Sequence, residues 1–364
     1  MSDPTPDDTP ETDARRYSRR EAIARLGGGG AVLLGAGLVG GSVTTHAAAH
    51  AAERAADDGL DHTTVHDTEG IASGDAPIGT NAGPYGGEFS PPLWMVGGEL
   101  DEITWAPPAP GGRGNAVIDV EMTVTNERIE VANGLVYDAW VYNGTAPGPT
   151  LRATEGDTLR IRFRNATGHD HNLHFHGRHS PTHDGWEPVP PGGETTYEIV
   201  AGPAGVHPYH CHTMPIDRHI AKGLYGTFIV DPVGGRPDAH EVVLVLSGWD
   251  PDEDGRNELY SWNGIAGFYE KFPIKVPHGE PVRAYLVNMI EFDPIASFHL
   301  HAETFDVWPA GIGDAPAFTT DVLTMGQTDR AIVEFTLSER GRYMFHPHQH
   351  SIAHRGSMGW FAAT

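Results

Sequence analysis

The only cysteine of the chain, Cys211, lies between two histidines in the run His210-Cys211-His212. A thiolate flanked by imidazoles is a soft ligand set that suits copper. A single cysteine also excludes a disulfide within the chain. Three other pairs of histidines spaced two residues apart accompany this run: His174/His176, His299/His301 and His346/His348. The spacing predicts a copper site at the cysteine and a histidine-bound copper cluster beside it.

The parity of these residues predicts two separate sites. Side chains alternate between the faces of a strand, so residues two apart share a face. The two histidines that flank Cys211 then share one face, and Cys211 points to the other. Upstream, His174 and His176 share a face, whereas His171 has the opposite parity. We therefore expect His171 and Cys211 to meet at one site and the four other histidines to meet at a second.

The cysteine site lacks one equatorial ligand in this pattern. Two histidines and one cysteine in a trigonal arrangement, with a weak axial ligand, form a blue-copper electron-transfer site. His219, eight residues after Cys211, is the candidate third ligand, and Leu224 stands at the axial position. Leucine cannot bind a metal, so the reduction potential is expected to be raised. Met214, in the intervening loop, is the alternative axial ligand.

The second half of the chain repeats the histidine spacing of the first, which indicates a duplicated domain. The position that matches Cys211 is Pro347, and the position that matches His171 is Ala296. The second copy is therefore expected to keep its histidine pairs without a blue-copper site.

The chain from about residue 115 onward reads as short alternating strands broken by Gly and Pro turns. This pattern is typical of β-sandwich domains of about 100 residues. It predicts an all-β fold of two Greek-key sandwiches, residues 115–235 and 236–364, with a boundary near the sequence DPVGG at residues 231–235. Residues 50–114, rich in Ala, Asp, Gly and Pro, are predicted to be an irregular linker or arm.

The N-terminal segment is typical of an export signal. Arg19 and Arg20 form a twin arginine, a weakly apolar Gly-rich stretch follows, and small residues come at Ala47 to Ala49. We predict a cleaved twin-arginine signal over residues 1–49 and a periplasmic, cell-surface or secreted protein. An uncleaved membrane anchor is the alternative, although the stretch is barely as long as the roughly 20 apolar residues that a span needs.

The charge of the chain limits its partners. With 49 acidic and 24 basic residues, the formal net charge is −25. This balance argues against nucleic acid and anionic membrane surfaces as partners. An acidic surface mainly serves solubility, and attraction of cationic metal substrates is the lesser alternative.

The histidine pattern, together with NGTAPGPT at residues 143–150, resembles the two-domain multicopper oxidases of the small-laccase type, with the blue copper in the first domain. The resemblance covers about residues 115–364. It implies cupredoxin-like domains and four copper ions per chain: one type 1, one type 2 and two type 3. It assigns the type 1 copper to His171, Cys211 and His219, and the type 2 copper to His174 and His299. The type 3 pair would be bound by His176, His210, His212, His301, His346 and His348.

The same resemblance implies an activity and an assembly. A phenolic or aromatic compound, or a reduced metal ion, would lose electrons one at a time at the type 1 copper, and dioxygen would be reduced to water at the trinuclear cluster. Members of this group close into homotrimers whose clusters are shared between neighbours, which requires head-to-tail contacts in a ring. Asp217, near the expected electron-entry edge, is a candidate proton acceptor for a phenol.

The sequence departs from the family pattern in two places. In many members the second blue-copper histidine follows the cysteine by five residues, whereas His219 follows by eight. His350 and His354 add histidines next to the last pair, so a shift to His348/His350 stays open. The twelve remaining histidines, among them His179, are interpreted as ordinary polar residues.

Two other functions stay open. Copper nitrite reductases share the two-domain build and need one type 2 copper beside the blue copper. They have a catalytic Asp three residues after the first blue-copper histidine, where this chain has His174, and they lack a histidine at the position of His212. Both differences favour the trinuclear cluster. A non-catalytic periplasmic electron carrier or copper-sequestering protein is the third hypothesis.

Overall fold

The structure, a computed structural model, describes residues 104–364, and these residues belong to one compact unit. They form two β-sandwich domains with few, short helices, so the predicted all-β fold is confirmed. None of the helices in the described range has the length and apolar character needed to cross a membrane. The predicted export signal, residues 1–49, and residues 50–103 of the predicted arm lie outside the described residues.

The first domain contains eight strands in two sheets. Strands β1 to β8 are Val117–Ala132, Leu135–Tyr142, Leu151–Thr154, Thr158–Asn165, His174–Phe175, Glu194–Val200, Gly205–His210 and Tyr225–Asp231. One sheet has the order β2-β1-β4-β6, and the other has the order β3-β8-β7-β5. Residues of β4 alternate between buried and exposed, because one face of the strand covers the core and the other faces water. Helix α1, Ile216–Ala221, and a 3₁₀ turn, Pro181–His183, lie in loops.

The second domain contains eleven strands, also in two sheets. Strands β9 to β19 are His240–Trp249, Leu259–Trp262, Ile274–Val276, Pro281–Asn288, Ile295–Leu300, Phe305–Pro309, Phe318–Thr320, Val322–Gly326, Arg330–Thr336, Gly341–His346 and Gly359–Ala363. The sheets have the orders β10-β9-β12-β17-β14-β15 and β11-β19-β18-β13-β16. Helices α2, Phe268–Lys271, and α3, His350–Ile352, are short, and a π turn, Ala353–Ser357, follows α3.

Strand β9 joins the two domains because both of its faces are buried. Val242 and Leu244 pack in the core of the second domain. Val243 and Val245 point the other way, into a cluster that includes Ile229 of the first domain. An apolar run without alternation is what a strand covered on both faces requires.

A buried ion network lies at the same junction. The Arg152 guanidinium binds both oxygens of Asp231 and both oxygens of Glu241, at 2.7–3.1 Å. Glu241 also accepts hydrogen bonds from Arg283 at 2.9 Å and from the Tyr285 hydroxyl at 2.5 Å. These groups come from β3 and β8 of the first domain and from β9 and β12 of the second. The network therefore fixes one domain against the other.

The described end of the predicted arm, residues 104–114, contacts the second domain. Trp105 pairs with Val242 of β9. The hydroxyls of Thr104 and Tyr269 are hydrogen-bonded at 2.8 Å. Here the chain is bound to the sheet before the first strand begins.

Candidate metal centre

The strands place the histidines of the first domain on the two sides that parity predicts. Strand β5 pairs antiparallel with β7, and His174 lies opposite His210 in this register. His171 lies ahead of β5 in an isolated bridge with Val189. Cys211, directly after β7, is fully buried in the core of the sandwich. One side of this short sheet therefore carries the cysteine and His171, and the other carries the histidine pairs.

His171, Cys211 and His219 come together in a buried group that we call the sulfur site. The Nδ1 atoms of His171 and His219 are 3.1 Å apart. Cys211 Sγ is 3.2 Å from His219 Nδ1 and 3.8 Å from His171 Nδ1. Helix α1 carries His219 back over the cysteine, so the eight-residue spacing is filled by a helical turn.

The protonation of the two imidazoles at the sulfur site fits a metal ion. Burial, reinforced by the charge of His219, lowers the pKa of His171 to about 3. Burial and the neighbouring His169 lower the pKa of His219 to about 4. Both rings are therefore neutral at pH 7, and their Nδ1 atoms converge with a sulfur atom. Two imidazole nitrogens and one thiolate are the donor set of a blue-copper site.

Leu224, and not Met214, lies at the sulfur site. Leu224 is fully buried in the same core cluster as Cys211, and its carbonyl accepts a hydrogen bond from the Cys211 N–H at 3.1 Å. Met214 is 76% exposed. The ring of Trp140, from β2, packs on the other side, 4.8 Å from the His219 ring and 5.1 Å from the His171 ring. Leu224 and Trp140 therefore supply apolar walls of the sulfur site, and Asn172 Oδ1 lies 3.5 Å from Cys211 Sγ.

Four histidines on the opposite side form the first histidine half: His174, His176, His210 and His212. His176 Nε2 and His210 Nε2 are 3.1 Å apart. His174 Nδ1 donates to the Asp184 carbonyl at 2.8 Å, and His210 Nδ1 donates to the Cys211 carbonyl at 2.9 Å. A neutral ring that donates through Nδ1 keeps the Nε2 lone pair free for a metal. Burial, with the nearby histidines, lowers the pKa of His176 to about 3 and that of His210 to about 4.

The second domain repeats this arrangement in the second histidine half: His299, His301, His346 and His348. His301 Nε2 and His346 Nε2 are 2.9 Å apart. His299 Nδ1 donates to the Asp321 carbonyl at 2.7 Å, and His346 Nδ1 donates to the Pro347 carbonyl at 2.8 Å. His299 lies opposite His346 in the pairing of β13 with β18, as His174 lies opposite His210.

The duplication extends to the residues that position the last histidine of each half. Asn172 Oδ1 accepts the His212 N–H at 2.6 Å. Ser297 Oγ, at the equivalent position, accepts the His348 N–H at 2.7 Å. Ala296, where the first domain has its His171, is 1% exposed and fills the core. The second domain therefore keeps the histidine half and has no sulfur site among its described residues.

The overlapping histidine pairs after β18 differ in their distances from the upstream pair. The His346 ring lies 5.1 Å from that of His301, and the His348 ring lies 5.3 Å from that of His299. His350 stacks outside this group, 5.8 Å from His348. His346 and His348 therefore both face the upstream pair, whereas His350 lies outside it.

Among residues 104–364, the ligand atoms of the two halves form separate groups. The ligand atoms of His174, His176 and His210 lie together, as do those of His299, His301 and His346. No grouping among residues 104–364 joins the two sets. Each half thus presents imidazole nitrogens that can bind metal, but the other half of the same chain does not join its group of ligands.

Sequence reasoning missed several residues beside the first histidine half. Asp184 Oδ1 lies 3.3 Å from His174 Nδ1 and 2.7 Å from Nε2 of His179, which was interpreted as an ordinary polar residue. The Trp186 ring lies 5.5 Å from the ring of His212. These residues follow the histidine pair in a loop, where no periodic pattern marks them.

Two sequence profiles, both described as multicopper oxidase, match residues 123–234 and residues 241–364. The chain belongs to the multicopper oxidase family. It is therefore a copper-binding oxidoreductase, and the cupredoxin-like character of both domains is confirmed.

Proteins similar to this multicopper oxidase include a further multicopper oxidase, a nitrite reductase and a laccase. A crystal structure of a multicopper oxidase has a TM-score of 0.68 and 42% identity, covering 72% of this chain and 92% of that one. A copper-containing nitrite reductase of Neisseria meningitidis is 27% identical over 278 residues, which cover 70% of this chain and 71% of the relative. Laccase-8 of Oryza sativa subsp. japonica is 27% identical over 254 residues, covering 59% of this chain and 44% of the laccase.

Proposed function

We propose that this multicopper oxidase is laccase-like and couples one-electron oxidation of a phenolic, aromatic or metal-ion reductant to reduction of dioxygen to water. The observation that carries the proposal is the pair of matched histidine halves. Each half holds four imidazoles in the same register, and His212 and His348 are positioned by equivalent hydrogen bonds. A single type 2 copper needs only three histidines, so a complement of eight supports a cluster of three metal ions.

The residues divide into three groups of ligands in this proposal. His171, Cys211 and His219 of the sulfur site would hold the type 1 copper, and Leu224 packs beside Cys211. His174 and His299 bind the type 2 copper. The type 3 pair is bound by His176, His210, His212, His301, His346 and His348. Four copper ions per chain follow from this division. When bound, copper supplies the one-electron redox chemistry at the sulfur site and the four-electron reduction of dioxygen at the cluster.

The chain itself connects the two centres. Cys211 provides the sulfur of one centre, and its two peptide neighbours provide imidazoles of the other. An unbroken series of covalent bonds therefore joins Sγ to His210 and His212. Asn172 stiffens this connection, because its Oδ1 lies 3.5 Å from Cys211 Sγ and accepts the N–H of His212.

The edge at helix α1 is the proposed entry for electrons. His219 is 4% exposed, with exposed Met214 in the loop before α1 and exposed Asp217 in the first turn of α1. A phenol that loses an electron also loses a proton, and Asp217 is the proposed acceptor of that proton. Phenol turnover of Asp217→Asn should fall, because the amide cannot accept the proton. Unchanged turnover across the pH range removes this role.

The assembly follows from the separation of the halves. Because one chain does not bring its two halves together, the second half of one subunit completes the first half of another. A head-to-tail contact of this kind closes into a ring. We take the ring to be a homotrimer, and the protein to be exported by the twin-arginine route.

Reduction of nitrite is the second candidate, supported by the nitrite reductases among the relatives. The two functions are separated by supplying copper-loaded protein with a methoxyphenol and measuring dioxygen consumption, then with a reductant and nitrite and measuring nitric oxide. Phenol-dependent dioxygen uptake without nitric oxide is expected. Nitric oxide formation without dioxygen uptake would overturn the proposal. If the protein catalyses neither reaction, the remaining candidate is a non-catalytic electron carrier.

A further inference from the structure

An exposed tryptophan lies at the rim of the first histidine half. Trp186 is 68% exposed, and its ring is tilted by 37° against the ring of His212 at 5.5 Å. Its position is fixed by the turn before it. Gly185 has φ +72°, and a Cβ there would collide with the carbonyl oxygen of Leu173, so the loop is seated directly on the strand that leads to His174. The indole is therefore exposed to solvent next to a turn that packs closely on Leu173.

The second histidine half lies in a concave surface. A pocket of about 380 Å³ is lined by His299, His301, Glu303 and Asp321, among others. Its wall carries carboxylates, and an indole N–H that becomes buried needs an acceptor of this kind. The pocket thus offers both room and a hydrogen-bond partner for a tryptophan side chain.

Charges at equivalent positions of the two halves are opposite. Exposed Arg178 follows His176 by two residues, and half-buried Glu303 follows His301 by two residues. In a head-to-tail contact the first half of one copy faces the second half of the next, so these unlike charges are brought to the same interface. Opposite charges across an interface favour the correct pairing and speed association.

We propose that Trp186 docks into this pocket of a second copy of the chain, beside the partner's His299 and the partner's Asp321. Arg178 then faces the partner's Glu303. The inference rests on the proposed function, because completion of the cluster is what brings the two halves together. Trp186 becomes a residue that one subunit contributes to the rim of the cluster. The exposed Trp186 ring acts as an interface anchor. The Gly185 turn sets the backbone position of Trp186 before docking, and a preset position lowers the entropy lost on docking.

The test is the strength of subunit association in copper-loaded protein, measured by sedimentation over a dilution series. Buried tryptophan anchors commonly contribute enough that truncation weakens binding by about 30-fold or more. Trp186→Ala is expected to show such a loss, and Trp186→Phe a smaller one. Val136→Ala, at another exposed apolar residue on β2, serves as the control and should associate as the wild type does. Thermal melting of each variant at a dilution where the wild type is dissociated should be unchanged, because the ring is exposed.

A charge exchange tests the orientation independently. Arg178→Glu should weaken association, and the double variant with Glu303→Arg should recover it. Equal association of Trp186→Ala and wild type, with the wild-type copper content, would overturn the contact and leave the proposed function standing. A wild-type protein that stays monomeric with one blue copper would overturn both.

Discussion

Arg152 links Asp231 of the first domain to Glu241 of the second. The loss of its guanidinium should lower the free energy of unfolding by an amount that can be calculated. In Arg152→Met the aliphatic stem is kept and the guanidinium is lost. Asp231, whose side chain is 3% exposed, would keep only Arg236, with 3.9 Å between Nε and Oδ1. Breaking a buried ion pair by removing one partner costs about 3–5 kcal/mol in the free energy of unfolding. For a unit of this size that loss lowers the melting temperature by roughly 6–20 °C.

The destabilisation caused by Arg152→Met should depend on pH. Burial by itself raises the pKa of Glu241, but hydrogen bonds from Arg152 and Tyr285 outweigh it, so the pKa lies below the usual value. A carboxyl whose folded pKa is depressed stabilises the fold above its unfolded pKa, and this stability is lost as the pH falls through the folded pKa. The difference in melting temperature between wild type and Arg152→Met is therefore largest near neutral pH and shrinks below about pH 4.

The assay is calorimetric or circular-dichroism melting of copper-loaded protein near neutral pH and below about pH 4. Arg128→Met is the matched control, because Arg128 pairs with Asp138 at 3.4 Å while their side chains are 78% and 84% exposed. Such exposed pairs contribute at most about 1 kcal/mol. Equal melting temperatures of Arg152→Met and Arg128→Met at neutral pH would refute the reasoning.

Three further changes probe the sulfur site. Glu253 from the second domain binds Arg218 at 2.5 Å and Lys222 at 2.6 Å, on either side of the α1 histidine. Glu253→Gln leaves both cations uncompensated and should raise the reduction potential in a redox titration of the blue absorbance; a lower potential would contradict this. Leu224→Met should lower the potential, since a thioether can then bind axially, and an unchanged value counts against the axial assignment. Cys211→Ser should abolish the blue absorbance while histidine-bound copper remains by elemental analysis; a persisting blue band would exclude Cys211 as its source.

The separation of the two sites could be predicted from the sequence because strand parity leaves little freedom. Once β5 and β7 are extended, Cys211 and the flanking histidines must face opposite ways. The missing sulfur site of the second domain followed from Pro347 in the same manner. The fold class followed from alternating segments such as β4. These predictions rest on local periodicity.

Other features depend on contacts that no local pattern records. Trp140 reaches the sulfur site from β2, and Glu253 reaches α1 from the other domain. Asp184 and Trp186 arrive through a loop whose path is set by one 3₁₀ turn and Gly185. The separation of the two histidine halves is a consequence of how the domains pack, which periodicity within single strands does not contain.

The proposal that two histidine halves build a three-copper cluster is tested most directly by the copper content per chain. The measurement is elemental analysis of fully copper-loaded protein, with absorption and paramagnetic resonance spectra to sort the copper types. Four copper ions per chain, one blue and three in a cluster, are predicted. Two copper ions per chain, one blue and one type 2, would contradict the account and assign the site to nitrite reduction.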